Sequence, residues 1–258
     1  MIKKIPIAIV AMLISLSGCA KDYSLAPPAD SEKVTVTVKV PKDLTARPMQ
    51  VIYRSTICTF TDHTAMGKPY QRDDYQRTDI WPVRQGQGDL YRAELPMDGG
   101  GACQWRLSNV TFGVTYTDPT RFGENVTYGA GGGVVVIFDR NNSPRGGADF
   151  KVDGDLLIKE DYYPWVSESF IGAYEKDISL LGKSQNYYLT YQATRATKVF
   201  FEPVLHSNFL TKSIGPKEKK KGNYATFTYP DGSIQQAPHA TPDFRKLQAI
   251  RLAAENKK

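Results

Sequence analysis

The chain contains few of the residues that enzymes use for acid–base, nucleophilic or metal chemistry. Its 258 residues include only three cysteines and three histidines, which are His63, His206 and His239. Neither an H-E-x-x-H zinc motif nor a G-x-S-x-G nucleophile elbow is present, so nothing supports a zinc peptidase or a serine hydrolase of that type. The sequence therefore predicts a binding protein and not an enzyme, with no cofactor, no catalytic residue and no metal site.

Long apolar runs and a strong charge of one sign are also absent. The apolar segment Ile5–Leu16 has 12 residues, whereas a membrane-spanning helix needs about 20. The mean hydropathy of −0.41 excludes a polytopic membrane protein. The excess of 33 basic over 27 acidic side chains is mild and spread along the chain, and it gives no indication of a nucleic acid partner.

The first 19 residues have the pattern of an exported lipoprotein. Lys3 and Lys4 precede the apolar segment, and Leu16-Ser17-Gly18-Cys19 follows it. This tetrapeptide resembles the lipobox of bacterial lipoproteins, which implies a signal peptide at 1–18 and lipid attachment at Cys19. Because Ala20 stands where an aspartate would favour inner-membrane retention, the resemblance implies the outer membrane, facing the periplasm. An ordinary secretory signal that contains a cysteine is the alternative.

The remaining cysteines, Cys58 and Cys103, are predicted to form a disulfide. Two thiols in an oxidising compartment pair more simply than they act alone, and each lies in a strand-like segment. The alternative is a catalytic cysteine with His63 as its base. A zinc site is not supported, because no histidine cluster accompanies the two thiols.

Strand patterns dominate the rest of the chain. The valines of Val34–Val40 alternate strictly, and a change of parity within Gln104–Tyr116 predicts a β-bulge near Asn109. Pro230-Asp231-Gly232 predicts a hairpin. Thr241 before Pro242 and Asp243 predicts the N-cap of a short C-terminal helix.

These patterns predict a mostly β fold, an antiparallel β-sandwich or two of them, with a short C-terminal helix. Residues 19–31 lack periodicity and contain Pro27-Pro28, so they are predicted to be a lipidated tether. A β-sandwich domain with the disulfide is predicted over 32–145, and a second β-rich region that ends in the helix over 146–258. Whether the two regions are separate or continuous is left open.

Two groups of residues are candidate partner contacts. The densest aromatic cluster contains Tyr162, Tyr163 and Trp165, and aromatic residues are typical of both interfaces and β cores. The basic run Lys217–Lys221, with Lys219, Lys220 and Lys221 as its candidate contacts, follows a Gly-Pro turn and is either a docking patch or a solvated loop. The glycines of Gly129–Gly133 precede a β-branched run, so they predict a connection before a strand, not a phosphate cradle.

The segments Gly99–Tyr116 and Phe122–Gly146 resemble enterobacterial lipoproteins associated with type VI secretion, of the kind that confers immunity to secreted phospholipases. The resemblance covers the front half of the mature chain and transfers no catalytic residue. It implies an outer-membrane-anchored periplasmic lipoprotein whose partner is a secreted phospholipase, which it binds and neutralises. The alternative function is that of a structural or assembly lipoprotein of an envelope or secretion machine.

Overall fold

A computed structural model describes residues 22–139, 147–184 and 188–257. The predicted signal peptide over 1–18 and the predicted lipid site Cys19 lie outside these residues. The described residues form eighteen strands and one α-helix, numbered in chain order: β1 (Lys33–Lys39), β2 (Leu44–Ala46), β3 (Met49–His63), β4 (Pro69–Ile80), β5 (Val83–Arg84), β6 (Leu90–Pro96), β7 (Asp98–Gly100), β8 (Trp105–Tyr116), β9 (Thr127–Tyr128), β10 (Gly132–Ile137), β11 (Phe150–Lys151), β12 (Leu156–Ser169), β13 (Glu175–Leu181), β14 (Leu189–Gln192), β15 (Lys198–Leu205), β16 (Thr211–Ile214), β17 (Ala225–Thr228), β18 (Ile234–Ala237) and α1 (Phe244–Glu255). No helix among them is long and apolar enough to cross a membrane.

Two sheets make up the sandwich, which confirms the predicted mostly β class. The first sheet has the order β18-β17-β16-β12-β15-β1-β6-β5, with β13 beside β12 and β9 beside β13. The second sheet has the order β11-β14-β10-β8-β3-β4, with β2 and β7 beside β8. The side chains between the two sheets form the main core.

Both sheets are mixed and not purely antiparallel, so the predicted antiparallel pairing holds for only part of each sheet. β15 runs parallel to β1 and to β12, and β16 runs parallel to β12. In the second sheet, β14 runs parallel to β10 and β11. Alternating apolar residues identify a strand and its buried face, but they do not determine the direction of its neighbour when that neighbour lies far away in the chain.

The ranges 32–145 and 146–258 share both sheets. β1 lies between β6 and β15, and β10 lies between β8 and β14, so each sheet contains strands from both ranges. The rings of Phe112 in β8 and Phe201 in β15 meet edge to face at 5.8 Å across the core. Val36 is fully buried in the same cluster. One continuous sandwich therefore describes the two ranges.

The predicted irregularity near Asn109 is a β-bulge at Ser108. Asn109 lies opposite Ile52 in β3, whereas Tyr53 lies opposite Leu107, so Ser108 is an extra residue in β8. The bulge changes which parity faces the core, and both Leu107 and Val110 are buried as a result. The parity change in the sequence was therefore a correct signal of a bulge.

Residues 22–31 of the predicted lipidated tether over 19–31 are docked on the sandwich. The backbone N–H of Ala26 donates to the carbonyl of Gly99 at 2.9 Å, and the Trp105 indole donates to the carbonyl of Tyr23 at 3.1 Å. Leu25 packs against the main core. The segment lacks periodicity because single contacts with β7 and β8, not a regular element, hold it in place.

The helix packs over a second, smaller core with the predicted β17–β18 hairpin. Phe244 and Leu247 are buried there. The prediction that Thr241 is the N-cap is wrong, because α1 begins two residues later. The side chain of Asp243 accepts hydrogen bonds from the backbone N–H groups of Arg245 and Lys246 and is the N-cap. Pro242 lies before the cap, where it cannot serve as the first helical residue.

Gly129–Gly133, predicted as a connection before a strand, extends into β10, whose first residue, Gly132, allows close packing between the sheets. A Cβ at Gly132 would lie 2.6 Å from Cε1 of Tyr162, whose ring is buried in the main core. We therefore expect Gly132→Ala to lower the free energy of unfolding by about 1–3 kcal/mol, as overpacking of a core does. Urea unfolding measures the loss. Gly88→Ala is the control, since no atom lies closer than 3.6 Å to that Cβ, and an equal loss in both variants would contradict the packing role.

Candidate functional site

The residues predicted as one aromatic cluster are divided between the two cores. Tyr162 is 5% exposed in the main core, and Tyr163 is fully buried under α1. Both tyrosines are therefore core residues, which excludes a direct partner contact by either of them. Trp165 is partly buried, and its indole donates to Ser213 Oγ at 2.8 Å. Successive residues of β12 point to opposite faces of its sheet, and at Tyr162 and Tyr163 each face is covered by one of the two cores.

The basic candidates lie on the surface. Lys219, Lys220 and Lys221 are exposed in the connection between β16 and β17, and no ion pair joins them to any residue that the structure describes. The backbone N–H of Lys220 donates to the carbonyl of Glu218 at 3.0 Å, which closes a local turn. Their exposure fits both alternatives considered for them, a solvated loop and a docking patch.

The disulfide between Cys58 and Cys103 is confirmed, with 5.4 Å between the two Cα atoms. It excludes the alternative in which Cys58 is a nucleophile paired with His63. Cys58 belongs to β3, as predicted, whereas Cys103 lies in the turn that precedes β8 and not within the strand. Both cysteines are buried.

The disulfide fixes the base of a two-stranded arm. The pairing of β3 with β8 ends at Arg54, opposite Arg106. Beyond that point β3 pairs with β4 alone, from Ser55 opposite Asp74 to His63 opposite Pro69. We refer to residues 55–74 as the arm. An isolated two-stranded hairpin is marginally stable in water, so the contacts at its base are important.

A hydroxyl joins the disulfide at the base of the arm. Ser55 Oγ donates to the carbonyl of Cys103 at 2.5 Å and accepts from the N–H of Cys58 at 2.9 Å. The register of β3 against β4 shifts there, because Ser55 lies opposite Asp74 and Thr59 opposite Asp73. The extra residues of β3 therefore place the cysteine where it can reach the turn before β8.

Side chains hold the two strands of the arm in register. Asp62 accepts from Arg72 Nη1 at 3.0 Å and from the Tyr70 hydroxyl at 3.1 Å. The backbone N–H of His63, followed by the Arg72 and Tyr70 side chains, lowers the pKa of Asp62 below its ordinary value. On the strands, Gln71 bonds both Thr59 and Thr61. The arm is therefore ordered by polar contacts, and its apolar side chains do not form a core.

Apolar side chains are exposed along and beside the arm. Met66 at its tip is 88% exposed, Ile57 at its base 52%, and Tyr70 43%. Tyr75, Trp81 and Val83 continue the exposed apolar surface along β4 and β5. A concentration of exposed apolar and aromatic residues on one projecting element is typical of a surface that binds another protein.

No protein-family model, no curated protein and no solved structure matches this chain.

The arm was missed in the sequence because β4 is polar. Its sequence, Pro69–Ile80, has five charged residues and no alternating apolar face, so it does not fit the pattern of a half-buried strand. Two signals were available. Gly67 is a typical turn residue, which takes a positive φ of 76° in the structure, and no glycine or proline interrupts residues 70–80, which contain two tyrosines and a threonine.

The three histidines lie in separate places. His63 is exposed on the arm. His206 donates to Asp161 at 2.7 Å and stacks on the ring of Tyr163. His239 stacks on Phe227 and donates to the carbonyl of Thr241 at 2.6 Å. Among the described residues, no group of three or more histidine, cysteine, aspartate or glutamate side chains could hold a metal ion.

A polar cleft of about 770 Å³ lies where β12 approaches the N-terminus of α1. Its lining includes Glu160, Asp161 and Asp243 together with Lys183 and Arg245. The carboxylates are already bonded within the fold: Glu160 accepts from the Tyr191 hydroxyl at 3.0 Å, Asp161 accepts from His206, and Asp243 caps the helix. These hydrogen bonds give each acidic side chain of the cleft a structural role.

Glu160 makes the stability of the fold dependent on pH. Burial raises its pKa above the ordinary value, against the opposing effect of the Tyr191 hydrogen bond. A group with a raised pKa stabilises the fold at low pH, and this contribution is lost as the pH rises through the folded-state pKa. Glu160→Gln is therefore expected to stabilise the protein at pH 7, and less so at pH 4, in thermal unfolding.

The matched control for that variant is Glu94→Gln. Lys33 and Arg92 lower the pKa of Glu94, so its contribution is present above its unfolded-state pKa and is lost as the pH falls. Glu94→Gln should consequently be no more stable than the wild type at pH 7. If the gain in stability of Glu160→Gln over the wild type is smaller at pH 7 than at pH 4, the result would contradict a raised pKa for Glu160.

Proposed function

We propose that this chain is an outer-membrane-anchored periplasmic lipoprotein that binds and neutralises a phospholipase delivered by type VI secretion, and that the arm makes the central contact. The lipobox at Cys19 and the resemblance of Gly99–Tyr116 and Phe122–Gly146 to immunity lipoproteins support the location and the partner class. The exposed apolar arm, fixed by a disulfide, is the observation that supports binding through a protein interface.

A fixed arm is well suited to inhibition by binding. Association costs free energy when loops and side chains become ordered, and a surface that is rigid beforehand reduces this cost. The bond between Cys58 and Cys103 and the contacts of Ser55 restrict the base of the arm. The exposed side chains of Met66, Ile57 and Tyr70 supply the apolar area that anchors interfaces.

The docked N-terminal segment bears on where the arm acts. Asp22 follows Cys19 by three residues, so the chain from a lipid-bearing cysteine to Asp22 spans at most about 11 Å. The segment then passes the turn before β8, where the Ser24 carbonyl contacts Gly101, two residues from Cys103. The docked segment thus lies beside the base of the arm, and a lipid at Cys19 would concentrate the arm near the membrane that a phospholipase attacks.

The test is inhibition of a secreted phospholipase, which we expect to be encoded by a gene neighbouring this one. The full-length protein, purified in detergent, is mixed with that enzyme, and hydrolysis of phospholipid vesicles is measured. We expect loss of hydrolysis at equimolar inhibitor and a stable complex on size exclusion. Full hydrolysis with a tenfold excess of the protein would overturn the proposal. Co-purification with envelope assembly proteins instead of the enzyme would favour the alternative of an assembly lipoprotein.

A further inference from the structure

β4 presents a long sheet edge with no second neighbour. It has 12 residues and pairs with β3 alone among the strands that the structure describes. The other strands that end the two sheet orders are short: β5 and β11 have two residues each and β18 has four. A long edge exposes unpaired backbone N–H and C=O groups and is a template for another strand, whereas short edges are the usual protection against it.

In one register, the side chains of β4 are complementary to those of a second, antiparallel copy of β4. When two identical strands pair antiparallel in a continuous sheet, directly opposed side chains share a face of the sheet. The pairing must therefore be centred on a residue that lies opposite its own copy in the second strand. With Tyr75 opposite Tyr75 of the second copy, Asp73 lies opposite Arg77, and symmetry repeats this pair. Tyr70 lies opposite Ile80 in the same register. Opposite charges and aromatic–aliphatic pairs both stabilise neighbouring strands.

The neighbouring registers are unfavourable. A centre at Asp73 or at Asp74 places identical carboxylates directly opposite one another, and a centre at Gln76 places Asp73 opposite Asp79. Like charges in these positions destabilise a sheet. In the register centred on Tyr75, no directly opposed pair from 70 to 80 has like charges. The charge pattern therefore selects both a partner, which is a second copy, and a register.

The side chains involved are available for this pairing. Tyr75 is 52% exposed. Arg77 Nε lies 3.6 Å from Asp79 Oδ1, with the two side chains 53% and 48% exposed, which is a weak contact that leaves the other guanidinium N–H groups free. Asp73 has no ion pair with any residue in the described part of the chain.

We propose that two copies of this chain pair through β4 in an antiparallel register centred on Tyr75, which joins their second sheets into one continuous sheet. The pairing uses the edge of β4 and leaves the turn at the tip of the arm, with Met66, uncovered. Because the strands run in opposite directions, the two arm tips lie at opposite ends of the shared edge. The dimer thus presents two partner-binding tips.

Disulfide cross-linking of the full chain in cells tests the register. Opposed residues have Cα atoms about 4.5–5.5 Å apart, within the range of a disulfide, so Tyr75→Cys is expected to give a covalent dimer on a non-reducing gel. The matched control is Asp79→Cys, which lies on the same face with similar exposure. Its two copies would be eight residues apart along the strands, about 27 Å. Equal dimer yields from the two variants would overturn the proposal.

Charge reversal then distinguishes pairing in this register from random collision of two chains. Adding Asp73→Arg to Tyr75→Cys places an arginine opposite Arg77 twice and is expected to lower the cross-linked fraction at least tenfold. Adding Arg77→Asp as well restores opposite charges and should restore the cross-link. If Asp73→Arg leaves the cross-linked fraction unchanged, or if the added Arg77→Asp does not restore it, this register is wrong. Light scattering of the detergent-solubilised wild type should give the mass of a dimer, and a monomer at every concentration would overturn the proposal.

Discussion

Replacement of both Cys58 and Cys103 by serine is expected to lower the free energy of unfolding by about 4 kcal/mol. The two cysteines are 45 residues apart, and a cross-link that closes a loop of this length restricts the unfolded chain by about that amount in the chain-entropy model. Both side chains are also buried, so two serine hydroxyls would replace apolar sulfur in the core. Urea unfolding of the double variant, with the wild type under identical conditions, measures the loss.

The same variant should loosen the arm more than the rest of the fold. Backbone amides of residues 59–63, which pair only with β4, are expected to lose protection from hydrogen exchange, while those in the centre of β8 and β10 keep theirs. The control is reduction of the wild-type disulfide, which removes the covalent bond without a new hydroxyl. A double variant whose stability falls by less than about 1 kcal/mol would contradict a stabilising role for the disulfide.

Met66→Asp is expected to weaken binding of the phospholipase by about 30-fold or more without unfolding the protein. The side chain is 88% exposed at the tip of the arm and supports no core, so the substitution should cost little stability. A carboxylate in the apolar centre of an interface is desolvated without a partner, and loss of an interface anchor costs about 2 kcal/mol or more.

Ile234→Asp provides the matched control for that variant. Ile234 is 69% exposed on β18, the edge strand at the far end of the first sheet order, and it receives the same change from an apolar to an acidic side chain. Titration calorimetry with the purified enzyme should give wild-type affinity for Ile234→Asp. Equal affinities for the two variants would show that the arm is not part of the interface. Other exposed residues, such as Lys219–Lys221, would then be tested.

Much of the fold was predictable because it depends on local patterns. The valines of β1 alternate and are buried, the parity change in β8 marks a bulge, and Pro230-Asp231-Gly232 forms a hairpin turn. Strand direction was not predictable, since β15 becomes the parallel neighbour of β1 from more than 150 residues away in the chain. The helix cap was misplaced by two residues, because Thr241 and Asp243 are both good capping residues and tertiary contacts decide between them.

The candidate site was less predictable than the fold. The pairing of the cysteines followed from their number and from the predicted compartment alone. The aromatic cluster of β12 was ambiguous, because a strand between two cores and an interface strand have the same composition. The arm is made of polar, charged and isolated aromatic residues whose exposure depends on where β8 stops pairing with β3, and no local pattern encodes that endpoint.

Survival in competition tests the proposed immunity function most directly. A strain lacking this gene is mixed with its parent, which secretes the phospholipase, and surviving cells are counted. We expect at least a tenfold loss of survival that the wild-type gene and the Ile234→Asp variant restore and that Met66→Asp does not. Survival of the deletion strain equal to that of the parent, while the parent still kills a strain known to be sensitive, would contradict the immunity function.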